Sequence, residues 1–163
     1  MNDRNLYAPP TANVDHVQPA TAMSAPLWNP NAAACWSLLF TPVFGAMLHM
    51  KNWQAMGDEE RARSAKGWAI GSLVYMVVVT LLGVVLPESK ALDALGRVGG
   101  FALLITWYYQ NAKFQQSYVL AKFGPEYPRR GWSKPLLLAL LAFAAYLGAV
   151  FVILLLSGMA VGH

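Results

Sequence analysis

The sequence has few charged residues and a single cysteine. Asp, Glu, Lys and Arg make up only 12% of its 163 residues, about half the share in an ordinary soluble domain. No charged residue lies within 32–48, 69–86, 98–109 or 136–157. Charges inside a membrane are costly and mark proton relays and charged-substrate pathways, so their absence argues against both functions. The lone Cys35 excludes an intramolecular disulfide.

The sequence also lacks the motifs of common enzyme chemistry. No H-E-x-x-H, paired C-x-x-C, P-loop or G-x-S-x-G pattern occurs. His49 has no partner at metal-ligand spacing, because Cys35 would lie about 21 Å away along one helix. We therefore expect His49 to be an interfacial histidine. The chain is not predicted to be an enzyme, and we expect it to bind no cofactor, metal or nucleic acid.

Long apolar runs are what the chain has in abundance, since hydrophobic residues make up 56% of it. Residues 135–157 would cover about 34 Å as a helix, enough to cross a hydrocarbon core of about 30 Å. Similar spans are predicted at about 32–50, 68–86 and 94–112, and the third helix is predicted to extend to about residue 123. The sequence therefore predicts an all-α integral membrane bundle of four transmembrane helices.

The first predicted span has an alternative, because Pro42 lies in its middle. A proline inside a helix frees the carbonyl four residues earlier and kinks the helix. Residues 32–50 are then either a kinked full span or a re-entrant helix that enters and leaves on one side. The second alternative leaves three spans plus one re-entrant helix.

The segment before the first span, residues 1–31, is rich in Asn, Pro, Ala and Thr. Each proline removes a backbone donor and disfavours helix at the preceding residue. With few large apolar side chains to bury, the segment is predicted to be a disordered tail. The transmembrane domain is predicted to cover residues 32–163.

The distribution of Lys and Arg predicts the orientation. If all four stretches span, loops 51–67 and 110–134 share one side, and they carry nine of the 12 Lys and Arg residues. These nine are Lys51, Arg61, Arg63, Lys66, Lys113, Lys122, Arg129, Arg130 and Lys134. Because such residues concentrate in cytoplasmic loops, both loops are predicted to be cytoplasmic in a bacterial inner (plasma) membrane. A re-entrant first helix would move only the tail, giving ten against two, so the side of residues 1–31 stays open.

Two further sets of residues are candidates for contacts. Small residues at a spacing of four let helices approach closely, and we expect them to pack within the bundle, with a homodimer face as the alternative. They are Gly67 and Gly71, Gly96 and Gly100, and Ala144 and Gly148. The second set consists of basic loop residues that the positive-inside rule explains, with anionic-lipid binding as the alternative. It comprises Arg61, Arg63, Lys66, Arg129, Arg130 and Lys134.

Several segments of the sequence resemble segments of one group of proteins. The tail reads N-x-Y-x-P-P from Asn5, the first span contains P-x-x-G-A from Pro42, and Asn52 and Gly57 form N-x-x-x-x-G. Together with the Tyr- and Arg-rich loop at 116–136, they resemble uncharacterised small multi-span inner-membrane proteins of proteobacteria. The resemblance implies a location and a helical membrane fold, and no activity or site residues.

From these observations we expect a non-enzymatic membrane protein that acts through protein–protein contacts, as an accessory or immunity-type component. Its expected partners are the lipid bilayer and another membrane protein or a second copy. The alternative is a small channel or transporter for a neutral solute. That alternative is motivated by the Pro42 break and by Thr41, Ser72 and Thr80, the few polar groups within the spans.

Overall fold

A computed structural model of the protein describes residues 25–86 and 89–161 and shows an almost wholly helical chain. We number its helices α1 (Pro30–Ala55), α2 (Glu59–Val85), α3 (residues 90–123) and α4 (Ser133–Val161). No β-strand occurs in the described ranges, where a single bridge pairs Leu27 with Arg129. The predicted all-α class is confirmed. Most of the predicted tail, residues 1–24, lies outside the described residues, but α1 begins at Pro30, slightly before the predicted end of the tail.

Three helices are long and apolar enough to cross a membrane: Pro30–Ala55, Glu59–Val85 and Ser133–Gly158. This finding supports the prediction of a membrane protein. The remaining helix, α3, consists of α-helical segments joined by two π-helical turns, Leu95–Gly99 and Tyr108–Ala112. π-Helical turns are rare and occur frequently at functional sites.

Local sequence explains where α1, α2 and α3 begin or end. The Asn29 side chain accepts hydrogen bonds from the first-turn amides of α1, and Pro30 occupies the first helical position, where its missing N–H costs nothing. Asp58 caps α2 by accepting from the amide of Arg61. Gly124, with φ of 72°, ends α3 in a conformation that strongly favours glycine.

Helix α1 is broken in its middle and folds back on itself. Phe40 and Thr41 have non-helical backbone angles directly before Pro42, and Thr41 has φ of 69° and ψ of 163°. A proline disfavours the helical conformation at the preceding residue. Beyond the break the chain reverses, because His49 Nε2 lies 3.1 Å from the carbonyl oxygen of Pro30. The same two residues would be about 28 Å apart along a straight helix.

This geometry differs from the kinked full span predicted for residues 32–50. A full span requires the ends of the helix to lie on opposite sides, whereas the arms of α1, residues 30–39 and 42–55, meet again at their base. The observed shape is a helical hairpin. Helix α1 also has the length and composition of a span, because length and composition alone cannot distinguish a straight span from a hairpin.

Helix α3 packs against the hairpin and holds its two arms together. Trp107 is fully buried in a core cluster with Ala34 of one arm and Ala46 of the other. Gly45 has no room for a β-carbon, because such an atom would overlap Ser37 Oγ and the ring of Trp107. Helix α4 is peripheral: none of the residues in its apolar window is buried.

Candidate functional site

The base of the hairpin is held by a buried amide network. Asn52 Oδ1 accepts from the amide of Trp28 at 3.0 Å, and Asn52 Nδ2 donates to the Trp28 carbonyl at 2.8 Å. The same Nδ2 donates to Gln115 Oε1 at 3.2 Å, and Gln115 Nε2 donates to the carbonyl of His49 at 2.9 Å. One asparagine and one glutamine thus join the entrance of the hairpin, its exit and α3.

His49 belongs to this network and is buried within the protein. Its side chain is fully buried, its Nε2 contacts the Pro30 carbonyl, and its ring lies 5.4 Å from the ring of Trp107 between centroids. The second arm turns the imidazole inward, toward the first arm and α3, and so away from solvent. Within residues 25–86 and 89–161 no three His, Cys, Asp or Glu residues are grouped closely enough to hold a metal ion.

A cavity of about 520 Å³ lies at the hairpin break, between all four helices. We call it the hydroxyl cavity, because six of its lining residues carry hydroxyl groups: Ser37, Thr41, Ser72, Tyr75, Thr80 and Tyr146. Its other polar lining residue is Arg97, at the start of α3. No carboxylate lines it, so the cavity can offer hydrogen bonds and one positive charge but no negative charge.

Four of these six hydroxyls have hydrogen-bond partners, and the buried Ser72 hydroxyl does not. Ser37 Oγ donates to the Ala33 carbonyl at 2.9 Å, and the hydroxyls of Thr80 and Tyr146 pair at 2.5 Å. Ser72 Oγ is fully buried and meets no hydrogen-bond partner in the described part of the chain. A buried hydroxyl without a partner costs free energy.

The first π-helical turn shapes one wall of the hydroxyl cavity. Tyr75 of α2 donates from its hydroxyl to the carbonyl of Leu95 at 2.5 Å. A β-carbon at Gly99 would collide with that same hydroxyl, so glycine permits the close approach of α2 and α3. This turn also carries Gly96 and Arg97, which line the cavity.

A second cavity, of about 460 Å³, lies beside the second arm of α1, between α2 and α4. We call it the lysine groove, because Lys51 and Lys134 line it together with mainly apolar side chains. Thr41, Met76 and Tyr146 line both this groove and the hydroxyl cavity. The break in α1 therefore lies where the two cavities meet.

The predicted basic residues are dispersed over one end of the bundle. Arg61 pairs with Asp58 at 2.6 Å and lies about 5 Å from the rings of Trp53, Phe114 and Tyr118. Its amide and guanidinium together hold the pKa of Asp58 below its ordinary value. Of the others, Arg63 and Lys66 are exposed, Arg129 stacks on Tyr127, Arg130 stacks on Trp28 and Lys134 lines the lysine groove.

The predicted small-residue pairs contribute little to packing within the chain. A β-carbon at Gly67, Gly71, Gly100 or Gly148 would meet no heavy atom within 4 Å, and Ala144 is exposed. Only Gly96 has a near neighbour, Val79, at 3.3 Å from such a β-carbon. The spacing predicts the helix face on which these residues lie, but the rest of the chain leaves most of that face exposed.

Sequence reasoning missed the amide network and the close approach at Gly45. The available signal was the occurrence of Asn52 and Gln115 beside apolar runs, where a buried amide needs a partner. Pro42 was recognised, but the strained neighbour Thr41 was considered only for its hydroxyl. Comparison of the chain with models of protein families, with curated proteins and with solved structures returned no match.

Proposed function

We propose that α2, α3 and α4 span the inner membrane of a bacterium and that α1 is a re-entrant hairpin entering from the cytoplasmic side. Two observations support this topology. The amide of Leu27 bonds to the Pro128 carbonyl at 3.0 Å, so the hairpin entrance lies beside the basic loop 124–132. The first arm, about 10 residues long, reaches about 15 Å, half of a hydrocarbon core of about 30 Å.

In this membrane we propose that the protein binds a small uncharged solute and provides a path for it. The observation that carries the proposal is the position of Thr41, a strained residue at the break in α1 and at the junction of two cavities. Non-helical backbone at membrane depth is tolerated where it is buried in protein or lines a cavity. Broken helices at mid-membrane form the binding sites of many transporters, and backbone strain concentrates at functional sites.

The lining of the hydroxyl cavity supports an uncharged solute. Hydroxyl groups both donate and accept hydrogen bonds, so they suit alcohols, amides and similar solutes. A cation would face Arg97 with no carboxylate to compensate it.

A liposome flux assay with two matched variants tests this function. Gly100 lines the hydroxyl cavity and has room for a side chain, so Gly100→Leu should narrow the cavity without distorting α3. Gly148 also has room but does not line the cavity, so Gly148→Leu is the control. We expect uncharged solutes such as glycerol and urea to enter wild-type and Gly148→Leu liposomes, and entry to fall to the protein-free rate in Gly100→Leu.

Entry at the protein-free rate for every uncharged solute with the wild-type protein would refute the path. Equal entry in the wild type and Gly100→Leu would place any path outside the hydroxyl cavity. The fold of each variant is checked beforehand by its tryptophan fluorescence, because Trp53 and Trp107 are buried and report on packing around the hairpin.

A role through protein contacts, the first expectation from the sequence, is the second candidate. The observation that favours it is the exposure of α4, whose apolar window contains no buried residue. A helix that packs so little within its own chain offers a face to another membrane protein. Purification in mild detergent should then return a stoichiometric partner or a dimer, whereas a monodisperse monomer without partners would count against this role.

A further inference from the structure

The lysine groove differs chemically from the hydroxyl cavity. Apart from Lys51, Lys134 and a few polar atoms, its lining is apolar, and no carboxylate lines it. The apolar lining includes Phe40, Val43, Met47, Leu73, Leu138 and Phe143. Such a surface favours a hydrocarbon occupant over water.

The groove has the depth of one leaflet of a bilayer. Lys134 and Tyr146 line opposite ends of its α4 wall, and their separation of 12 residues corresponds to about 18 Å along the helix. One leaflet contributes about 15 Å to the hydrocarbon core. With Lys134 at the level of the headgroups, Tyr146 and the break at Thr41 lie near the middle of the membrane.

The size of the groove indicates a thin occupant. A helix about 10 Å wide and 18 Å long would displace about 1,400 Å³, whereas the groove holds about 460 Å³. A helix of a second copy or of a partner would therefore lie against the open side of the groove rather than inside it along this depth. A single hydrocarbon chain is narrow enough to follow it.

Two positive charges lie at the headgroup end of the groove. Lys51 lies near the end of the second arm of α1 and Lys134 lies in the first turn of α4, so the charges come from separate elements that the fold brings to one groove. The only ion pair in the described part of the chain, Arg61 with Asp58, involves neither lysine. Trp28 completes this end and is covered by Arg130, whose guanidinium lies 4.6 Å from its ring.

We propose that the lysine groove binds one acyl chain of an anionic phospholipid, with the headgroup phosphate between Lys51 and Lys134. Lysine ammonium groups near the membrane surface attract anionic lipids, and the apolar lining supplies the affinity for the chain. The groove shares Thr41, Met76 and Tyr146 with the hydroxyl cavity, but its proposed ligand is different, so lipid binding is tested separately from solute flux. The lipid also covers the exposed side of the hairpin and supports the wall that Thr41 and Tyr146 share with the hydroxyl cavity.

Native mass spectrometry of the full chain, titrated with phosphatidylglycerol or with phosphatidylcholine of the same acyl chains, tests the headgroup. We expect one phosphatidylglycerol to bind in preference to phosphatidylcholine, and Lys51→Gln combined with Lys134→Gln to weaken it about thirtyfold. Lys66→Gln, at an exposed lysine outside the groove, should leave binding unchanged. Equal binding of the two lipids, or no effect of the double change, would overturn the proposal.

A second pair of variants tests the acyl-chain site. Ala142 lines the groove and Ala144 lies two residues further along α4 outside it, so Ala142→Phe should displace the bound lipid and Ala144→Phe should not. Retention of one phosphatidylglycerol by a folded Ala142→Phe would overturn the proposal. Should that variant fail to fold, the lysine changes, which lie at the membrane surface, still decide the question.

Discussion

Replacement of Asn52 by alanine tests whether the amide network holds the hairpin closed. The Asn52 side chain is only 1% exposed and makes three hydrogen bonds, two to the Trp28 backbone and one to Gln115. Each hydrogen bond contributes about 1 kcal/mol net. We therefore expect Asn52→Ala to lower the free energy of unfolding by about 3 kcal/mol, about a hundredfold in the equilibrium constant.

The assay is reversible unfolding in mixed micelles of mild and denaturing detergent, followed by tryptophan fluorescence. Asn31→Ala is the matched control, because Asn31 is exposed on the first arm, and an exposed substitution usually changes stability by less than about 0.5 kcal/mol. If Asn52→Ala lowers the free energy of unfolding no more than Asn31→Ala does, the amide network does not hold the hairpin closed.

Three further predictions use the same unfolding assay. Thr41→Gly should stabilise the protein by about 1 kcal/mol, because glycine tolerates φ of 69°, whereas Thr106→Gly, within a regular α-helical segment, should destabilise it by about that amount. Gly45→Ala should cost about 2 kcal/mol through overlap with its neighbours, whereas Gly71→Ala, in open space, should cost nothing. Folding lowers the pKa of Asp58 from 3.8. The Asp58 carboxylate therefore contributes its full stability above that pH and loses it as the pH falls further. We expect the free energy of unfolding of the wild type to drop below about pH 4, and Asp58→Asn to lack that part of the drop.

The sequence predicts the straight helices well because their signals are local. An uncharged run specifies α4 from any short window, and the predicted end of α3 at about residue 123 agrees with the observed end at Phe123, where Gly124 follows. The shape of α1 depends instead on contacts between distant residues. Pro42 breaks the helix, but whether the chain bends or reverses depends on Asn52 and Gln115, which are 63 residues apart.

The candidate site was harder to predict for the same reason. Thr41, Ser72 and Thr80 were identified as polar groups within spans, and all three line the hydroxyl cavity. Arg97 and Tyr146 join them only because α3 and α4 pack around the break, which no local pattern specifies. The spacing of Gly67 and Gly71 predicted a packed helix face, but spacing does not say which face the rest of the chain covers.

The most direct test of the account is the distance between the two arms of α1 in a membrane. Nitroxide labels would be placed at the exposed positions Asn31 and Gln54, with Cys35 replaced by serine, and measured by pulsed electron paramagnetic resonance in liposomes. A re-entrant hairpin predicts a separation near the spacing of packed helices, about 10 Å, broadened by the label linkers. A distribution centred near 35 Å, the length of a continuous helix between the two positions, would contradict the hairpin and the cavities that depend on it.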